Sequence, residues 1–153
     1  MDAESVVRTY ADMIYKIAYR YMRAGADAED VFSEVWLIYF KKERRFESEE
    51  HRKAWLIRVT INAAKSILMK RQPTEELTER EIAASVTESA VEERLDLRAA
   101  LERLKPEYRE VICLYYIEDL PVKTIAAVLG RNENTVKTQL MRGREALRKY
   151  MGE

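Results

Sequence analysis

One cysteine, one histidine, three prolines and four glycines are all that 153 residues hold of the types that build metal sites, disulfides and irregular backbone. Cys113 alone excludes an internal disulfide, and with His51 as the single imidazole there is no His/Cys cluster to hold zinc. Cys113 sits in an apolar helical run and reads as a small buried hydrophobe, and His51 reads as an exposed helix residue. No Gly-rich phosphate loop, nucleophile elbow or paired-Cys motif is present, and nothing positions a pair of carboxylates as acid and base. The sequence therefore predicts no catalytic residue, no cofactor and no metal, and the chain is not expected to be an enzyme. Scarce Gly and Pro, with no sustained β-branched alternation, predict an all-α fold. The longest apolar run, Val35 to Phe40, falls far short of the roughly 20 residues that span a bilayer. With no charged-then-apolar leader, a cytoplasmic protein without membrane insertion is expected.

Positive charge is not in excess either, since 27 Lys and Arg balance 27 Asp and Glu. Its distribution is uneven. Residues 41–71 hold ten basic against four acidic side chains, net +6, and 131–153 hold six against three, net +3. Between them, 72–103 carry four basic against nine acidic, net −5. Two separate basic blocks fit two separate contacts with one nucleic acid, whereas zero net charge by itself suits a patchy, solvated surface.

What is present is helical periodicity. Val6, Tyr10, Met13, Ile17 and Tyr21 share one side of a first core helix, which Gly25 is expected to end. A second helix comes next, capped by Asp27 with Asp30 in its first turn. It buries Val31, Val35 and Ile38 or Tyr39 and leaves Asp27, Asp30, Ser33 and Glu34 outward. Trp36 suits either a core position or an interface anchor. Residues 41–53 read as a loop, with Ser48 as a cap for a third helix. That helix, from Ala54, puts Trp55, Val59, Asn62 and Ser66 on one face with Arg58 and Lys65 beside it. The face is either a buried Trp with a hydrogen-bonded Asn, or an aromatic and amide platform for unstacked bases. Residues 72–89, poor in large apolar groups, read as a flexible linker with room for a short helix within 75–84. The chain thus divides into two small helical domains, 1–71 and 90–153.

The second domain ends in LPVKTIAAVLGRNENTVKTQLMRGREALRKY, two helices about a tight turn. Pro121 suits the first turn of one, Gly130 stops it, and Asn132 caps the next. That last helix carries Val136, Leu140, Gly143, Leu147 and Tyr150 on an apolar stripe. Asn134, Thr138, Met141, Arg142 and Glu145 lie opposite, with Lys137, Arg144 and Arg148 on a flank. A helix of this kind fits the major groove, about 12 Å wide, where Arg and Lys meet phosphate or guanine. A charged face alone would be merely solvated, but turn, glycine, cap and basic face together favour DNA.

The order of parts, DAEDVFSEVW, FESEEHRKAWLIRVTINAAKSIL, a linker, LKPEYREVICLYYIEDLPVKTIAAVLG and NTVKTQLMRGREALR, resembles the extracytoplasmic-function (ECF) group of bacterial sigma-70 factors. These keep only regions two and four, and the resemblance covers almost the full chain. It implies that 1–71 is region two and 90–153 region four. It implies contact of Asp27, Asp30, Val31, Glu34 and Trp36 with the clamp helices of the largest subunits of core RNA polymerase. Phe46, Glu47 and Ser48 would lie in a loop that captures single-stranded −10 bases, above Trp55, Arg58, Asn62 and Lys65. Asn134, Lys137, Thr138, Met141, Arg142 and Arg144 would read the −35 duplex. An anti-sigma partner and a role in a stress or cell-envelope response are also implied. Glu47 after Phe46 and Gln139 depart from the basic residues frequent there. The rival readings are a dimeric helix-turn-helix repressor or activator that binds duplex without polymerase, and a helical adaptor with no nucleic-acid role.

Overall fold

The computed structural model describes residues 1–71 and 92–152, so the expected linker and short helix, with Val91, lie outside the described residues. Seven helices and no strands are present among them, and they form two compact units.

The first unit packs α1 (Ala3–Met22), α2 (Gly25–Phe40) and α3 (Glu49–Lys70). Asp2 caps α1, its Oδ1 accepting from the Ser5 amide at 2.8 Å. The apolar stripes meet in a core of Val6, Ile14 and Ile17 from α1, Val31 and Val35 from α2, and Leu56, Ile57 and Ile61 from α3, each at most 1% exposed. Each such side chain contributes about 1.5–3 kcal/mol through burial. The α1–α2 corner departs from expectation. Arg23, at φ 59°, ends α1 with its amide on the Tyr19 carbonyl, and Gly25 is already the first residue of α2. Asp27 is no cap, because the helix begins before it. Its carboxylate sits in the first turn, where the helix dipole favours it, and pairs with Arg71. Asp30 consequently falls one turn later than expected.

The 41–53 loop is shorter than expected, since α3 starts at Glu49 rather than Ala54. Ser48 does cap it, its Oγ accepting from the His51 amide at 3.1 Å. Glu49 and Glu50 occupy the first turn, where carboxylates compensate for weak apolar periodicity. His51 is on the helix and exposed, as expected.

The second unit packs α4 (Glu92–Arg103), α5 (Pro106–Tyr116), α6 (Val122–Leu129) and α7 (Glu133–Tyr150). Pro106 opens α5, whereas Pro121 stands one residue outside α6, at its N-cap. Arg109 closes the end of α4, donating to the carbonyls of Leu101, Glu102 and Leu104 at 2.9–3.0 Å. Cys113 is buried with Val111, Ile112 and Leu114 in the core. Gly130 at φ 67° ends α6 in the left-handed conformation, and Asn132 Oδ1 accepts from the Asn134 amide at 2.8 Å to start α7.

Candidate nucleic-acid and polymerase interfaces

On α7 the predicted stripe faces inward: Val136, Leu140 and Gly143 are buried, and Leu147 and Tyr150 half-buried. Gly143 permits the contact with α5, because a Cβ there would lie 2.9 Å from Ile112 Cγ1. Asn134, Lys137, Met141 and Arg142 are exposed on the other side. Thr138 is half-buried and donates its hydroxyl to the Asn134 carbonyl at 3.0 Å. Arg144 is also half-buried rather than free on the flank. Its Nε donates to Tyr116 Oη at 2.6 Å, and its guanidinium lies over the rings of Tyr115 and Tyr116. Helical position alone could not foresee that tether, which depends on where α5 ends.

Arg131, which helical spacing does not single out, is the hub behind this helix. It pairs with Glu110 at 2.6 Å and donates to the Glu107 carbonyl and to Gln139 Oε1 at 3.2 and 3.1 Å. Nothing local in the sequence points from Arg131 to Glu110, 21 residues away.

In the first unit, the loop residue Phe46 folds back on α2 and α3. Its ring centroid is 5.8 Å from Trp55 and 6.4 Å from Tyr39. Arg44 lies over Trp55 at 4.4 Å and Arg52 over Phe46 at 4.9 Å. Trp55 is therefore half-buried with a ring face already occupied, not an open platform. The Arg44 Nε is buried without a hydrogen-bond partner among the described residues. Glu47 is exposed, and its amide donates to His51 Nδ1 at 3.1 Å. Arg58 and Asn62 are exposed, so Asn62 is not the buried amide of the blander reading, and Lys65 is half-buried. Below the loop, Tyr10 donates to Glu49 Oε2 at 2.7 Å. Burial first and the Glu49 carboxylate second push the Tyr10 phenol up to about 12. The same bond holds Glu49 below the usual carboxylate range.

On α2, Asp30 and Glu34 are exposed and Asp27 is half-buried in its pair with Arg71. Two of the expected contact residues lie inward. Val31 is 0% exposed and Trp36 only 9%, so both pack the core. The 3.6-residue repeat puts Val31 on the inner stripe, and Trp36 follows Val35 into the aromatic cluster of Phe32, Tyr39 and Phe40. Trp36 still meets the surface at one edge, lining a shallow apolar groove with Phe32, Ser33, Leu37, Phe40 and Lys41. Its Nε1 is buried without a partner among the described residues.

Residues 6–74 match the family model Sigma-70 region 2, and 94–147 match Sigma-70, region 4. The ECF RNA polymerase sigma factor SigW of Bacillus subtilis is 30% identical, over 95% of this chain and 87% of its own length. The chain is an ECF RNA polymerase sigma factor. SigE of Mycolicibacterium smegmatis, also an ECF RNA polymerase sigma factor, is 31% identical over 98% of the chain, which spans 62% of that relative's length. The fold is that of the sigma factor RpoE solved with the anti-sigma factor NepR from Bartonella quintana. That structure is 21% identical, with a TM-score of 0.75 over 97% of this chain and 96% of that one. This sigma factor accordingly belongs to the DNA-binding proteins of transcription initiation, and among the described residues no helix is long and apolar enough to cross a membrane.

Proposed function

We propose that this sigma factor divides promoter recognition between its two units while core RNA polymerase supplies the catalysis. The second unit reads the −35 element as duplex: Lys137, Met141 and Arg142 meet base edges or phosphates, with Asn134 and Thr138 at the groove-facing end of α7 and Arg144 held at its margin. The first unit captures unpaired −10 bases, with Phe46, Glu47 and Ser48 in the loop and Trp55, Arg58, Asn62 and Lys65 on α3. Asp27, Asp30 and Glu34 on α2 meet the clamp helices of the polymerase, with the groove at Trp36 beside them. The observation that carries this reading is the exposed Lys137–Met141–Arg142 face, set opposite a buried stripe on a capped helix after a tight turn. A helix so mounted is held by one side and leaves the other free to enter a groove.

We infer further that the protein works in the cytoplasm, and that a partner protein covers its polymerase-facing surfaces when it is not needed. The complex with an anti-sigma factor in the Bartonella quintana structure supports this. The deciding experiment mixes the purified chain with core polymerase and a promoter library and maps the starts. Defined transcripts that depend on the chain are expected. A chain that ignores polymerase yet grips symmetric duplex sites as a dimer would refute the proposal.

A further inference from the structure

Arg131 sends its guanidinium inward rather than toward solvent. Nη2 donates to Glu110 Oε1 at 2.6 Å. Nη1 donates to the Glu107 carbonyl at 3.2 Å and to Gln139 Oε1 at 3.1 Å. The Arg131 and Glu110 side chains are only 18% and 10% exposed. One planar group thus joins α5, the turn and the second turn of α7. A half-buried pair of this kind is weak evidence for stability, because desolvation offsets much of the attraction. It is a good fixer of direction, since the fork of guanidinium N–H groups accepts few geometries. Gln139 is flanked by Thr138 and by the buried Leu140, and two residues on either side stand Lys137 and Met141. Whatever sets the rotation of α7 at Gln139 therefore sets where Lys137, Met141 and Arg142 point. Three of the five N–H donors of Arg131 go to protein, which commits its guanidinium to α5 and α7.

We propose that Arg131 is a positioning residue for duplex recognition. It is anchored on Glu110 and acts through Gln139 to fix the rotation of α7, so the residues at 131 and 139 are coupled. This rests on the reading that α7 enters the groove.

The test measures binding of the full chain, bound to core polymerase, to a −35 duplex and to single-base variants of it. Arg131→Met, Gln139→Met, their double variant, Gln139→Glu and Arg142→Ala are compared with the native chain. Discrimination between cognate and altered duplex is expected to fall on the order of tenfold in Arg131→Met and in Gln139→Met, and no further in the double variant. The slope of log affinity on log salt should stay unchanged, because no phosphate contact is lost. Gln139→Glu keeps the acceptor and should retain discrimination, even as its charge weakens binding overall. Additive losses overturn the proposal, as does a salt slope lowered by about one in Arg131→Met. A lower melting temperature with discrimination intact overturns it too, since that would be structural support alone. Gln139→Met leaves the Glu110 pair in place and carries the test if Arg131→Met does not fold. In all these outcomes Arg142→Ala should still weaken duplex binding. If it does not, the groove reading itself is wrong and the positioning role goes with it.

Discussion

Replacing Gly143 by Ala sets two effects of known size against each other. Alanine in a helix interior is favoured over glycine by about 0.5–1 kcal/mol. Opposing this, the new methyl would sit 2.9 Å from Ile112 Cγ1, 3.2 Å from Cδ1 and 3.5 Å from Tyr108 Cβ. Ile112 is 4% exposed, and a β-branched side chain has little χ1 freedom on a helix, so Cγ1 is not a loose end that swings aside. Overpacking of this kind costs about 1–3 kcal/mol, which exceeds the propensity gain and leaves a net loss of roughly 0–2.5 kcal/mol, about 1 at mid-range. For a unit of this size that lowers the melting temperature by about 4–8 °C per kcal/mol. The sign should reverse where the obstacle is gone. Ile112→Ala alone costs about 2–5 kcal/mol, and adding Gly143→Ala to it should recover part of that loss. Urea unfolding monitored by circular dichroism reports both units, while fluorescence of Trp36 and Trp55, both in the first unit, serves as the internal control. Gly143→Ala that stabilises the native background, or that costs the same with and without Ile112, would refute the close-contact argument.

Other outcomes are expected from the same geometry. Arg142→Ala should weaken −35 duplex binding by about 1–3 kcal/mol if it makes a base contact, with a fluorescence-anisotropy titration as the check. Asn62→Ala should lower open-complex formation, read by permanganate footprinting, while sparing −35 duplex binding; unchanged melting would remove Asn62 from the −10 set. The Tyr10 phenol is raised from 10.0 to about 12 in the folded chain. Its stabilising effect is therefore complete below pH 10 and lost as pH climbs toward 12, on the order of 2–3 kcal/mol in all. The difference in unfolding free energy between the native chain and Tyr10→Phe should accordingly shrink over that interval. A constant difference would mean that neither burial nor the Tyr10–Glu49 bond raises the phenol in solution.

Much of this fold is legible in the sequence because helical repeats and caps are local. Ser48, Asn132 and Gly130 act where their chemistry says they should, and the stripe from Val136 to Gly143 faces inward. What escapes is set by partners distant in sequence. Asp27 has the composition of a cap, but Arg71 at the far end of α3 holds it as an ion pair inside a helix that began earlier. Trp36 lies at the edge of the apolar stripe, where periodicity cannot decide, and three aromatic neighbours draw it in. Arg131 and Arg144 look alike as cations near a basic helix; one is committed to Glu110 and the other to Tyr116, neither readable from spacing. The face that Lys137, Met141 and Arg142 share is legible because local helical spacing alone sets it and all three are exposed.

The aromatic cluster of the first unit bears on how a single strand would be captured. Phe46 and Trp55 each carry an arginine on a ring face, and such contacts are worth about 0.5–2 kcal/mol depending on exposure. A base that stacks on Trp55 from that side must displace Arg44 and so forfeits that contact and the long bond from Arg44 Nη2 to the Ile38 carbonyl, in addition to the few kcal/mol needed to unpair it. Displacement is not pure loss. Arg44 holds a buried Nε without an acceptor, and moving outward lets it reach water or a backbone phosphate. Stacking supplies about 1–3 kcal/mol per base, and only together with that relief of about 1–3 kcal/mol does it come near the sum to be offset. Strand capture under the proposed reading is thus nearly balanced in the free chain. It becomes favourable once polymerase holds the strands apart, which places melting after polymerase binding and makes binding by the chain alone weak and steeply salt-dependent.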